Sequence, residues 1–254
     1  MTEYAFVGVG SLAEAIVVGL SDGVDDPPSI ALSPRGAERS SRLASRFSNV
    51  RVAASNQDAI DGAEVVVVAV LPSQADDVLS SLTFTADQHV VSAVAAVSVE
   101  RLEQLTAPAY SVARTIPMPE VARRAGTTPA FPATAAATAL FDRLGSALAV
   151  LDETTFTAMS VATATVAAHF HYVSTIADWL AEQGLDQADA EDFVAGVFQP
   201  LDLDPTHGLS TLASAHATPG GFNEGFDRAL TEAGVFDTMR AALDANLRRT
   251  QGGS

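Results

Sequence analysis

The chain places Gly8-Val-Gly-Ser-Leu-Ala13 directly after the apolar run Tyr4-Ala-Phe-Val7, and its Ser11 to Leu20 stretch continues as an apolar helix. Small residues at this spacing leave few folds open. The first glycine permits a tight turn, the second leaves the main chain bare, and Ala13 lets the helix lie close on the strand. The helix N-terminus then offers unpaired N–H groups and a positive dipole end to a pyrophosphate. Alone, G-x-G-x-x-A is weak; its place between a strand and a helix gives it weight. Glu64-Val-Val-Val-Val-Ala-Val-Leu71 is almost wholly apolar, as a parallel strand covered on both faces requires. Further strands are expected at Ser29–Leu32, His89–Ala93 and Tyr110–Thr115, with helices near 36–47, 74–82 and 99–105 between them. Strand and helix alternate, so residues 1–152 read as an α/β, Rossmann-like dinucleotide-binding domain.

The pattern changes after Asp152. Thr154 to Gln183 holds no glycine or proline, and Phe156, Met159, Thr163, Val166, Phe170, Val173, Ala177 and Leu180 recur at three- and four-residue spacing. One long helix with a seam for a partner is expected there, followed by helices near 186–198 and 223–249. Residues 153–254 therefore read as an all-α domain. Its seam fits either an intramolecular bundle or a homodimer or higher homo-oligomer built through these C-terminal helices.

Composition removes several chemistries. The chain carries a formal charge of -17, no cysteine, and arginine at every one of its 14 basic positions. Without lysine there is no Schiff-base or P-loop chemistry, and without cysteine no thiolate nucleophile or thiolate metal site. The negative charge argues against nucleic acid and anionic membrane as partners. No apolar run is long enough to span a bilayer and the N-terminus has no basic leader, so a cytoplasmic protein acting on a small molecule is expected. His169 and His171, two apart on a helix, point to different faces, so no metal site is expected and one of them should face the core. Gly19-Leu-Ser-Asp-Gly23 matches a hydrolase elbow in letters only, since a helix precedes it and an acidic loop follows.

The end of the second strand selects the cofactor. An acidic residue there would bind the adenosine ribose hydroxyls, whereas this chain has Ser33-Pro-Arg35, with Arg39 one turn later. Ser33 and Arg35 suit the 2′-phosphate of NADPH; their other reading is a helix cap and a solvated first-turn arginine.

Taken in order, these features resemble pyrroline-5-carboxylate reductases, which reduce a cyclic imino acid to proline. The resemblance rests on the glycine fingerprint, Asn56, Val68-Ala-Val-Leu-Pro72 where the family has V-K-P, and Val91 to Val97 where it has a strand ending in A-A-G-V. It rests also on Arg114-Thr-Ile-Pro117 for R-x-M-P-N, and on Thr218-Pro-Gly-Gly221 for S-P-G-G-T. It implies a Rossmann-like domain, a helical dimerisation domain and NADPH, held by Gly8, Gly10, Ser11, Leu12, Ser33, Arg35, Asn56, Val70 and Pro72. Leu71, Met118 and Phe222 depart from the family's lysine, asparagine and threonine, and Ala162 to Ala168 replaces its S-G-S-G-P-A-Y helix start.

An imine must be protonated or strongly hydrogen-bonded before its carbon accepts hydride. Asn223 occupies the position of the family's hydroxyl and, with Thr218, is the candidate donor; its other reading is an N-cap. Backbone N–H groups after Gly220 and Gly221 suit a substrate carboxylate. Two further readings fit the same residues: a reductase or dehydrogenase of another imine or ketone, and a non-catalytic NADP-binding protein.

Overall fold

The computed structural model describes residues 2–201, 203, 206 and 208–251, and the chain divides into two compact units, Met1–Ser160 and Val161–Ser254. In the first, β1 (Thr2–Val7), α1 (Ser11–Ser21), β2 (Ile30–Leu32), α2 (Ala37–Arg46), β3 (Val50–Val52), α3 (Asn56–Ile60) and β4 (Ala63–Val68) follow in order. They are succeeded by α4 (Ala75–Ser80), β5 (His89–Ser92), α5 (Val99–Thr106), β6 (Ser111–Thr115), β7 (Thr127–Phe131), α6 (Ala135–Asp142) and β8 (Ser146–Ala149). The eight strands form one sheet in the order β3-β2-β1-β4-β5-β6-β7-β8. The first six are parallel, β7 runs antiparallel to β6, and β8 runs parallel to β7. Order 3-2-1-4-5-6 reverses direction at β1, and this reversal opens a crevice at the carboxyl ends of β1 and β4.

The apolar run of β4 explains itself in this setting. Val65 and Val67 pack on one face with Phe6, Ile16 and Leu32, while Val66 and Val68 pack on the other with Ala5, Leu79 and Leu102. A period of two sends successive side chains to opposite faces, so the doubly covered stretch Val65–Val68 has no position left for a polar residue, while Glu64 near the strand's start is exposed. Each such burial is worth roughly 1.5–3 kcal/mol. The strand is shorter than its apolar run. Ala69 N–H still bonds Val7 O at 2.9 Å, but the chain then leaves the sheet for a 3-10 turn at Pro72–Gln74. Pro72 has no N–H to give a ladder, so Val70 and Leu71 become part of the crevice wall.

The helical part consists of α7 (Glu153–Ala162), α8 (Thr165–Glu182), α9 (Gln187–Phe198), α10 (Leu209–His216), α11 (Phe222–Glu232) and α12 (Val235–Gln251). The single helix expected over 154–183 is two. At the join the backbone tightens: Ala164 N–H bonds Val161 O at 3.0 Å, Val166 N–H bonds Thr163 O at 3.2 Å, and the Thr165 hydroxyl donates to Ala162 O at 2.8 Å. Threonine hydroxyls offer the carbonyls this alternative partner without glycine or proline. The seam is divided accordingly. Phe156 is buried within the first unit, whereas Val173, Ala177 and Leu180 pack against Ala190 and Val194 of α9. The helix expected over 223–249 is likewise broken, at Gly234, whose φ of +71° and N–H bond to Thr231 O end α11.

Asp186 caps α9 by accepting from Ala188 N–H. His169 and His171 are both exposed, correcting the expectation that one faces the core; the face of α8 that packs on α9 runs through Tyr172, Val173, Ile176, Ala177 and Leu180 instead. Among the described residues no helix is long and apolar enough to cross a membrane.

Candidate active site

The glycine turn forms one wall of the crevice. A groove of about 360 Å³ is lined by Gly8, Val9, Gly10, Ser11, Leu12, Arg35, Gly36, Ala69, Val70, Leu71, Gln74 and Ala93. A second cavity, about 610 Å³, is lined by Pro34, Arg35, Asn56, Gln74, Asp77, Val78 and Ser81. Arg35 and Gln74 line both, so the two spaces adjoin.

Gly8 sits at φ +91°, and a Cβ there would lie 2.7 Å from Ala69 O and 2.8 Å from a Val70 methyl. Both the backbone and the space require glycine. Gly10 is different: nothing lies within 4 Å of where its Cβ would be, and no side chain caps α1. A bare main chain at a helix N-terminus, facing open space, fits a pyrophosphate. Charge nearby is balanced. Glu14 of the first turn accepts from Arg39 Nε at 2.7 Å and Arg42 Nη2 at 2.6 Å, and these bonds, Arg42's foremost, hold its carboxyl below the usual carboxylate range. Arg39 also reaches Val9 O at 3.4 Å and Ser11 Oγ at 3.5 Å, so its guanidinium rests on the turn itself.

Ser33 requires a correction. It is fully buried and lines neither cavity; its hydroxyl accepts from Gly8 N–H at 3.0 Å, while its carbonyl accepts from the Ser40 hydroxyl at 3.1 Å. The N–H of a left-handed residue has no ladder partner, and Ser33 supplies one. Arg35 alone of the expected pair is exposed to the cavities. Asn56 lines the larger cavity from the first residue of α3, behind the Ser55 cap, and Val70 lines the groove. Pro72 lines neither space and instead opens the 3-10 turn. Gln74, Asp77 and Ala93 were not anticipated. The spacing of Gln74, Asp77, Val78 and Ser81 on one helical face was the available signal, which a short and mostly polar segment hid.

In the second unit, the turn between α10 and α11 brings Thr218, Gly220, Gly221 and Asn223 together. Gly221 N–H bonds Thr218 O at 2.8 Å, and Gly220 N–H bonds Glu224 Oε2 at 2.7 Å. Gly221 is the cap of α11, so Asn223 is not; its side-chain nitrogen donates to His216 O at 3.0 Å across the turn. One N–H of that amide is thereby used and one remains. The N–H groups of Gly220 and Gly221 are spent inside the turn, which leaves those of Phe222 and Asn223 to meet an anion.

A family model described as NADP oxidoreductase, coenzyme F420-dependent, matches residues 3–96. Pyrroline-5-carboxylate reductase 2 of Bacillus subtilis is 25% identical over 264 residues, covering 98% of this chain and 94% of that protein. The Corynebacterium melassecola pyrroline-5-carboxylate reductase is 33% identical over 122 residues, a match spanning 46% of this chain and 45% of that protein, less than half of either. The crystal structure of Plasmodium falciparum pyrroline carboxylate reductase with NADP bound has a TM-score of 0.77 at 14% identity, covering 100% of this chain and 98% of that one. Across nearly its whole length the chain is similar to pyrroline-5-carboxylate reductases. Where the family has lysine and threonine, Leu71 and Phe222 stand 63% and 99% exposed. These two departures therefore lie on the surface of the two candidate regions, while Met118 is half-buried.

Proposed function

We propose that this chain is a cytoplasmic, NADPH-dependent reductase of a small cyclic imino acid, with pyrroline-5-carboxylate as the first substrate to test. The observation that carries the reading is the bare Gly10 main chain at the uncapped start of α1, facing a groove that continues past Arg35 into a polar cavity. In this reading residues 1–152 hold the cofactor. Gly8, Gly10, Ser11 and Leu12 bind the pyrophosphate through main-chain N–H groups, Arg35 takes the 2′-phosphate with a forked, charged contact, and Asn56 holds the adenosine ribose. Val70, Leu71 and Ala93 wall the nicotinamide end and exclude water from it. Bound NADPH supplies the hydride.

Residues 153–254 hold the substrate and the second copy of a homodimer. Asn223, fixed by its bond to His216 O, directs its remaining N–H at the imine nitrogen, and Thr218 assists. The free N–H groups at the start of α11 receive the substrate carboxylate. The exposed apolar faces of α8, α9, α11 and α12 supply the dimer contact, since patches of this kind on a folded chain mark interaction surfaces.

Purified protein supplied with NADPH and pyrroline-5-carboxylate should form proline with matching loss of NADPH absorbance. A second reading, a reductase of a different imine, is favoured by the exposed Leu71 and Phe222. Turnover of uncharged cyclic imines in place of pyrroline-5-carboxylate would select it. NADPH binding with no turnover of any imine would reject both.

A further inference from the structure

The loop from β5 to α5 carries a backbone strain that its sequence does not relieve. Ala96 is held at φ +59°, in the left-handed region, and no glycine stands at that place. An L-residue with a Cβ resists this conformation, which here sits in a turn at Ala95–Ala96 whose start is tied by Val94 N–H donating to Ser92 Oγ at 3.2 Å; its far end is tied from outside. The loop begins at Ala93, which lines the groove, and ends at Val99, the first residue of α5.

The holding group is a carboxylate from far along the chain. Glu153 Oε1 accepts from Val99 N–H at 3.1 Å and from Arg114 Nη1 at 2.7 Å. Arg114, on β6, is only 5% exposed and lies with its guanidinium carbon 4.7 Å from the centre of the Phe156 ring. Its Nε has no partner, so Glu153 is the group that balances this buried charge. Ser98 caps α5 separately by accepting from Arg101 N–H. One end of the strained loop is thus fixed by the sheet at Ser92 and the other by an oxygen that is itself fixed by a packed, buried arginine.

We propose that Glu153 is a positioning residue for the cofactor: through Val99 N–H and Arg114 it holds the Ala96 loop in the one conformation that sets Ala93 against the nicotinamide end of the groove. The inference rests on the reading of that groove as the NADPH site. Glu153 touches neither cofactor nor substrate. Without it the loop relaxes at Ala96, and the groove wall relaxes with it.

The test is a cycle of variants read by titration of NADPH fluorescence beside thermal melting. Glu153→Ala should weaken NADPH binding about tenfold, the equivalent of roughly 1.4 kcal/mol. Adding Ala96→Gly should recover most of that loss, because glycine accepts the left-handed conformation without help, while the melting midpoint stays lowered by the unpaired Arg114. A purely structural Glu153 predicts the opposite: a lower midpoint, unchanged affinity for the folded fraction, and no effect of Ala96→Gly. That result overturns the proposal, as does weakened binding that glycine fails to recover. Should Glu153→Ala not fold, Glu153→Asp, too short to span both partners, replaces it, and Glu153→Gln, which keeps an acceptor for both, should retain most of the affinity. An unaltered chain that binds no NADPH would instead overturn the groove's assignment, a failure distinct from equal binding by wild type and variant.

Discussion

The two units bury their apolar residues to very different degrees. In the first, both faces of the sheet are covered and Phe6, Leu32, Val67, Val91 and Leu140 are inaccessible to solvent. In the second, α8 and α9 meet through Ala177, Ala190 and Val194, while Phe170, Trp179, Phe193 and Phe226 stand more than half exposed. The Rossmann-like unit completes its own core within one chain. The helical unit leaves these large apolar side chains at its surface, and a second copy of the chain is the partner our reading gives it.

Breaking that contrast should produce the largest effects. An aspartate at Phe193 or Phe170 would place an unpaired charge in the proposed dimer contact, a penalty of about 3–5 kcal/mol. Sedimentation should then show the dimer dissociation constant raised a hundredfold or more with the first unit still folded; an unchanged assembly would remove these faces from the interface. Next, Gly8→Ala attacks the self-sufficient unit where space and backbone both forbid a side chain. A loss of about 2–5 kcal/mol in stability is expected, with loss of NADPH binding.

A sharper comparison lies within the cofactor region. Arg35→Ala should raise KM for NADPH roughly tenfold to a hundredfold with little change for NADH, the value of a charged hydrogen bond. Ser33→Ala should do the reverse: a loss of about 1–3 kcal/mol from the orphaned Gly8 N–H, with the ratio of the two cofactors unaltered. If Ser33→Ala changes the ratio instead, its hydroxyl reaches the phosphate after all. The smallest effect concerns Glu14, whose carboxyl is held below its ordinary value of 4.5 by Arg42 and Arg39. Its stabilising contribution is complete above that pH and is lost as pH falls through the lowered folded value. The gap in melting midpoint between wild type and Glu14→Gln should therefore be constant above about pH 4.5 and narrow below it.

The legible features of the sequence were those whose cause is local. A doubly covered stretch of strand must be apolar at every position, and Val65 to Val68 say so; a turn that leaves no room for a side chain must be glycine. Strands β3 and β8 are hard to read because they are short and mostly exposed, so no apolar run marks them, and Pro129 within β7 reads as a breaker. The break at Thr163 and Ala164 left no glycine or proline to see. Ser33 was misread for a different reason. Which way a side chain points at a strand's end depends on a partner 25 residues earlier, and Gly8 N–H made that choice. Glu153 belongs with it: its two partners come from α5 and β6, 54 and 39 residues away, and no spacing rule connects them.

Because Ser33 is turned inward to fasten the turn, the choice between phosphorylated and unphosphorylated dinucleotide is separated from the architecture that grips either one. With Arg35 as the proposed phosphate contact, a lineage carrying this arrangement could switch its source of reducing power by altering that one residue on the rim, with no repair needed beneath it.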